Sequence, residues 1–412
     1  MPPSYETLRE ALRGEPLPLA FVDRDAFDRN LERVVATVAA AGPGLRVRVA
    51  SKSVRSAALL RRLLERGGAA LGGLLCYAAA EAEHLARVHG FDDLLVAYPV
   101  YQAVDAERLA RLAAEGRDVK VAIDSDAGAL RLAEAARRLG TVLPVVLCVD
   151  MSWRLAFGRV HVGVRRSPLH EVDEVVAAAR RVAATPGLRF AGLLAYEAQV
   201  AGLGDANVHE PWLDPLKRLL RRGSARELGA RRHAMVEALC AVGLPPGLVN
   251  GGGTGSLDST VAATGVTEVA VGSAFYKPHL FDLYRAPYLR ALEPACFFAL
   301  EVTRAPGPGF VTCAGGGYVA SGAVGRDKAP LPWLPAGLEL LPAEMAGEVQ
   351  TPLRRAGGPR SGASLPELGS PVVFRHAKAG ELCERFVELC LLSEGRIVDR
   401  ALTYRGEGQC FL

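Results

Sequence analysis

Lysine is scarce in this chain. Of 49 basic residues only six are lysines (Lys52, Lys120, Lys217, Lys277, Lys328 and Lys378), and arginine supplies the rest. Where arginine is preferred this strongly, a lysine marks a position where an amine does what a guanidinium does not. Excess charge is scarce too. Forty-nine basic residues against 45 acidic ones leave +4, with the two signs interspersed, which is no electrostatic footprint for nucleic acid. The eight cysteines form no Cys-x-x-Cys pair, and several lie in apolar runs, as Cys148 does in PVVLCV. They read as buried reduced thiols of a cytoplasmic protein, not as a disulfide framework. The first thirty residues hold no basic start followed by an apolar stretch, so no signal peptide is expected. The longest uncharged stretch, 305–325, is broken by Pro306, Pro308 and many glycines, and no membrane span is expected.

What the chain does have is apolar material: 50% of its 412 residues are hydrophobic and 23% are charged. That suits two or three domains, or one large barrel plus a smaller domain. From residue 46 to residue 275, short β-branched runs alternate with segments of helical period. The runs are RVRVA at 46–50, LGGLLCY at 71–77, DLLVAYP at 93–99, VKVAID at 119–124, PVVLCVD at 144–150, FAGLLAY at 190–196, GLVN at 247–250 and EVAVGSA at 268–274. Near-continuous apolar strands alternating with helices predict a parallel sheet covered on both faces. Eight of them predict an α/β fold of the (β/α)8 TIM-barrel class, with an open doubly wound sheet as the competing arrangement. After about residue 285, Pro and Gly cluster and short alternating runs appear at 297–304, 310–314, 371–377, 385–392 and 396–404, which predicts an all-β second domain. The expected division is a barrel over 18–284 and a β domain over 285–412, with residues 1–17 packing on the latter. Residues 353–370 read as a long surface loop.

A barrel gathers its chemistry at the carboxyl ends of its strands. Those ends carry Lys52 after the first run, Asp124 and Asp150 after the fourth and fifth, and Tyr196 after the sixth. GGGTGS (251–256) follows the seventh, and Gly272 and Ser273 follow the eighth. Consecutive glycines let successive N–H groups point inward, and Thr254 adds a hydroxyl, which makes a phosphate cradle where barrels of this class bind phosphate. A flexible turn is the plainer reading. Lys52 ends a buried strand, where low-dielectric surroundings would lower its pKa as a Schiff-base lysine requires; a snorkelling surface lysine is the plainer reading. The two features on one barrel face suggest pyridoxal phosphate (PLP), held by an imine at one end and by its phosphate at the other.

In order along the chain, PLAFVDRDAFDRNLERV (18–34), RVASKS (48–53 with its strand), GLLAYEAQ (192–199), VNGGGTGS, EVAVGSAFY and HAKAGELCERF (376–386) resemble the fold-type III PLP enzymes, in the D-threonine aldolase and D-serine dehydratase branch. The resemblance implies an alanine racemase-like barrel with a C-terminal β domain, paired as a homodimer. It places Lys52 at the imine lysine and Tyr196 beside the cofactor. Gly252, Gly253, Thr254, Gly255, Gly272 and Ser273 fall on the phosphate-binding segments. The branch pattern Arg-Pro-His-x-Lys-x-His-Lys keeps its first residue as Arg48, but Ala50 and Val54 replace both histidines. The branch's metal-binding His-x-Cys or His-x-Asp reads His376-Ala377-Lys378. An ammonium repels a metal ion, so no metal site is expected, and Cys383 lies off the family spacing. Alignment on Gly163 puts His161 at the customary arginine position, with Arg154 or Arg159 as other cations for the cofactor phenolate.

The implied activity is a PLP-dependent lyase on a small β-hydroxy amino acid of D configuration, by retro-aldol cleavage or by dehydration and deamination. Lys52 is expected as general base, with His376 and Lys378 as catalytic partners. A racemase on the same scaffold, with Tyr318 or Tyr404 as second base, and a non-catalytic PLP-binding protein are the alternatives.

Overall fold

The computed structural model describes residues 3–155, 159–208, 210–323, 325–357 and 364–412. The eight apolar runs become eight parallel strands: Arg46–Ala50, Leu71–Cys76, Leu94–Val96, Val119–Ile123, Leu143–Cys148, Leu188–Ala195, Leu248–Gly251 and Glu268–Val271. The eighth pairs with the first through Val269 on Val47 and Val271 on Val49, so the sheet closes and the open doubly wound arrangement is excluded. The helices between them cover the outside with one face each. Ala57–Gly67 buries Leu59, Leu60 and Leu63, and Gly68 ends it with φ +52°.

Inside the barrel, Leu95, Ala122, Val146, Ala191, Leu194 and Leu248 form a cluster of their own. Arg48, 2% exposed, is also inside. Its Nε donates to Glu268 at 2.6 Å and its Nη2 to Asp93 at 2.9 Å, and Lys120 donates to Asp93 at 3.1 Å. A buried guanidinium persists only when paired in this way. Arg48 is therefore a structural member of the barrel wall.

The second domain is a nine-stranded sheet with Cys296–Gly307 at its centre. One of its strands comes from the start of the chain. Leu19–Asp23 runs antiparallel to Cys296–Gly307 and parallel to Glu388–Ser393. These residues, counted with the barrel from sequence, hydrogen-bond into the β domain instead. The strand is buried on both faces: Ala20 and Val22 join the main core, while Leu19 and Phe21 join a smaller cluster with Leu8, Leu12, Phe297 and Val373. Helix Tyr5–Ala11 supplies Leu8 to that cluster. Strand Gln350–Arg355, paired with Phe310–Ala314, takes up the beginning of the segment read as a loop; residues 358–363 of that segment lie outside the described residues. Among the described residues no helix is long and apolar enough to cross a membrane.

Candidate active site

The carboxyl ends of the strands open into a cavity of about 1130 Å³, roomier than the ~300–1,000 Å³ of ordinary ligand pockets. One wall belongs to the β domain of the same chain, through Tyr318, Ser321, His376 and Lys378.

Lys52 stands in a single 3-10 turn, Ser51–Ser53, directly after the first strand. The Ser51 hydroxyl donates to the Leu75 carbonyl at 2.9 Å, and that of Ser53 lies 3.3 Å from the Ser273 hydroxyl. The Lys52 carbonyl accepts from Arg55 Nε at 3.0 Å, and Arg55 in turn pairs with Glu384 of the β domain at 2.6 Å. The lysine side chain is exposed into the cavity, its Nζ 6.0 Å from the centre of the Tyr98 ring. The apolar enclosure expected at the strand end is absent, because the cavity is open and wide where the side chain projects.

The glycine-rich segment lines the same cavity, with Gly272 and Ser273 beside it. At Gly253 a Cβ would come within 3.0 Å of the Tyr196 ring, and at Gly272 within 2.7 Å of the Ala50 carbonyl oxygen. Larger residues would push the two loops away from the tyrosine and from the lysine's strand. Two of the cradle's N–H groups are engaged inside the protein: that of Gly252 with Glu197 at 2.8 Å and that of Gly253 with the Ser256 hydroxyl at 3.1 Å. The Thr254 hydroxyl accepts from the Ala274 N–H at 3.1 Å and so ties the two loops together. Among the described residues no hydrogen bond engages the N–H groups of Thr254 and Gly255 or the Thr254 hydroxyl proton, which leaves them as donors for an anion.

Tyr196 follows the sixth strand, and burial raises its phenol. Arg166 stacks over its ring at 5.0 Å. Arg165 and Arg166 line the cavity, whereas Arg154 and His161 do not. The reason is the inserted hairpin. Trp153–Leu155 pairs antiparallel with Val160–Val162, so Arg154 faces His161 on the hairpin. Arg154 donates to Asp150 at 2.8 Å. Burial pushes Asp150 up, but the bonds from Arg154 and Ser152 outweigh it and hold the carboxyl below its usual range. Glu197, Asn250 and Arg166 were missed from sequence. The signal for Arg166 was the Arg-Arg pair following Gly163 and Val164.

His376 is buried, and its Nδ1 lies 3.2 Å from the Cys296 carbonyl. A carbonyl only accepts, so Nδ1 carries the proton and Nε2 is a bare lone pair with no hydrogen-bond partner among the described residues. Burial, with Arg375 and His279 nearby, holds the ring down to about 3, so it is neutral at pH 7. Lys378 donates from Nζ to the Ser321 carbonyl and hydroxyl, both at 2.9 Å, with Glu381 at 3.6 Å. Cys383 is buried, donates to the Val54 carbonyl at 3.4 Å, and has its thiol pushed up to about 12 by burial. Tyr404 is buried and donates to Glu81 at 2.8 Å, away from the cavity wall.

Residues 22–279 match the family described as alanine racemase, N-terminal domain. The chain belongs to that family. It is the fold-type III PLP family that the ordered motifs resembled. With 3-hydroxy-D-aspartate aldolase of Paracoccus denitrificans (strain Pd 1222), this family member is 30% identical over 239 residues, which is 58% of this chain and 54% of that one. The match thus spans about half the length of that relative. The crystal structure of D-threonine aldolase from Filomicrobium marinum superposes with a TM-score of 0.78 at 21% identity, over 95% of this chain and 96% of that one. D-threo-3-hydroxyaspartate dehydratase from Delftia sp. HT23 gives 0.72 at 22%, over 95% and 98%. These two likenesses extend the shared fold through both domains.

Proposed function

We propose that the protein is a PLP-dependent lyase that cleaves or dehydrates a small β-hydroxy D-amino acid. The observation that carries this reading is the placement of Lys52 and the Gly252–Gly255 cradle on one cavity, in a family member 30% identical over 239 residues to a 3-hydroxy-D-aspartate aldolase. The residues present fit the cofactor: an amine projecting into open space, N–H donors for its phosphate, and glycines where a Cβ would intrude. Thr254, Gly255, Gly272 and Ser273 would hold its phosphate and Tyr196 would flank its ring, with Arg166 in place of Arg154 and His161 as the cation that lines the cavity. When bound, PLP supplies the electron sink that stabilises negative charge at the substrate's Cα.

The chain's own groups handle protons. Lys52 binds the cofactor covalently and serves as general base at Cα. The Nε2 lone pair of neutral His376 serves as a hydrogen-bond acceptor that orients the β-hydroxyl. The ammonium of Lys378, fixed by Ser321, sets positive charge beside the β-oxygen or the carboxylate. These residues do not fit a divalent metal at this place: the second ligand position holds an ammonium, and Cys383 is a protonated thiol bound to Val54. The reading includes a cytoplasmic homodimer; exposed Leu216 and Leu219 on helix Asp214–Ala241, with exposed Trp212 in the turn just before it, support the pairing.

Tyr318 lines the cavity and is the one remaining second base for a racemase, since Tyr404 is committed to Glu81. A panel of D- and L-β-hydroxy amino acids separates the outcomes. An aldehyde or oxo acid with glycine identifies an aldolase, and an α-keto acid with ammonia a dehydratase. The mirror-image amino acid as sole product, or no turnover at all, overturns the reading.

A further inference from the structure

Among the described residues, one group of metal-ligating side chains stands outside this site: His84, His89 and Glu407. We propose that these three bind a divalent transition-metal ion of the zinc class, which clamps the C-terminal tail to the barrel. Their ligand atoms lie within 4.8 Å of one another. His84 Nε2 is 2.7 Å and His89 Nε2 3.1 Å from the same oxygen, Oε2 of Glu407. Tetrahedral zinc with bonds of about 2.0–2.1 Å spaces its ligands roughly 3.4 Å apart, so the His89 contact must open by about 0.3 Å and the His84 contact by about 0.7 Å, within the reach of side-chain rotation. Two imidazoles and one carboxylate are also a donor set that zinc prefers, with a fourth position left for water.

The local fold prepares the three groups. His84 lies in the last turn of helix Ala79–Arg87, and His89 follows just beyond its end. Glu407 sits on a tight tail turn. Its N–H donates to the Thr403 carbonyl at 3.1 Å, and the Thr403 hydroxyl donates to Phe386 at 2.6 Å. A Cβ on Gly406 would lie 1.9 Å from the Val387 carbonyl, so the turn is pressed onto the β domain. Aromatic rings wall the group: Phe411 is 5.7 Å from the His84 ring and Phe91 6.3 Å from that of His89. The three side chains are only 9%, 23% and 14% exposed, which limits competition from water.

The clamp connects to the cavity. Next to Glu407 in the tail, Tyr404 donates its N–H to the Arg55 carbonyl at 3.1 Å, and Arg55 holds the Lys52 carbonyl. Arg405 and Leu412, on either side of Glu407, line the cavity itself. An ion at the cluster would therefore fix both the rim of the cavity and the turn that carries Lys52.

The test uses the cofactor-loaded protein, treated with chelator, dialysed and titrated with Zn²⁺ in a calorimeter, with Co²⁺ as an absorbing substitute. The expected result is saturation at about one ion per chain and a Tm that rises with free Zn²⁺. His89→Gln and Glu407→Gln, with circular dichroism and cofactor absorbance unchanged, should each weaken binding by more than the roughly 10- to 100-fold that loss of an outer-shell partner costs. His376→Gln should leave it intact. Three results overturn the proposal: no saturable binding at micromolar Zn²⁺, equal binding in the His89 and Glu407 variants, or binding lost only with His376.

Discussion

Gly380 rests on the carbonyl of Lys52. A Cβ built on that glycine, whose φ is +82°, would lie 1.9 Å from the oxygen. The β domain and the lysine's turn are thus positioned against each other, in addition to the bridge from Arg55 to Glu384.

Gly380→Ala should therefore displace Lys52, cutting kcat/KM by about 100-fold, the cost of misplacing a reacting group by roughly 1 Å. Gly309→Ala is the control. Its φ is +85°, but the space around it is open. It carries the backbone strain of about 1–3 kcal/mol without the collision. Steady-state kinetics showing equal losses in the two variants would count against the contact.

Lys378→Met should lower kcat by on the order of 10²–10³-fold if its ammonium supports charge at the β-oxygen, whereas Cys383→Ser should cost far less. Turnover should also survive prolonged EDTA treatment. The experiment is best run in the His89→Gln background, so that the tail cluster does not enter. Loss of activity that added Mn²⁺ or Zn²⁺ restores would mean that His376 binds a metal after all.

Acid should destabilise the protein through two buried histidines. Burial holds His376 down to about 3 and His279 down to about 4. Both are neutral when folded, but their unfolded rings titrate near 6.5. Below that pH the unfolded chain binds the extra protons, so the stability present at pH 7 is lost progressively down to the folded values. At pH 5 the loss is about 2 kcal/mol for each ring. His279→Gln should shrink the fall in urea midpoint between pH 7 and pH 5; an unchanged fall would refute the assignment.

Much of this was legible in the sequence. The eight barrel strands show because each is a β-branched run flanked by helical period, and Lys52, Tyr196 and the Gly251–Ser256 segment show because their order along the chain places them at strand ends. Leu19–Asp23 was assigned to the wrong sheet because a strand buried on both faces looks the same in a barrel and in a layered sheet. Arg166, which lines the cavity, went unnoticed because alignment on Gly163 pointed to His161, with Arg154 or Arg159 beside it, whereas the pairing of Trp153–Leu155 with Val160–Val162 holds Arg154 and His161 off the cavity. The state of His376 depends on Cys296, and the fixing of Lys378 depends on Ser321. Contacts across 80 and 57 residues leave no local pattern to read.

The central claim is that Lys52 carries the cofactor. Borohydride reduction of the purified yellow protein, followed by peptide mass mapping, tests it directly. The account predicts a reduced pyridoxyl phosphate on Lys52, and none on any lysine of a Lys52→Ala variant that keeps its fold but has no turnover. Recovery of the label on Lys378 or another lysine of the wild-type protein, or a colourless protein that takes up no PLP, would contradict it.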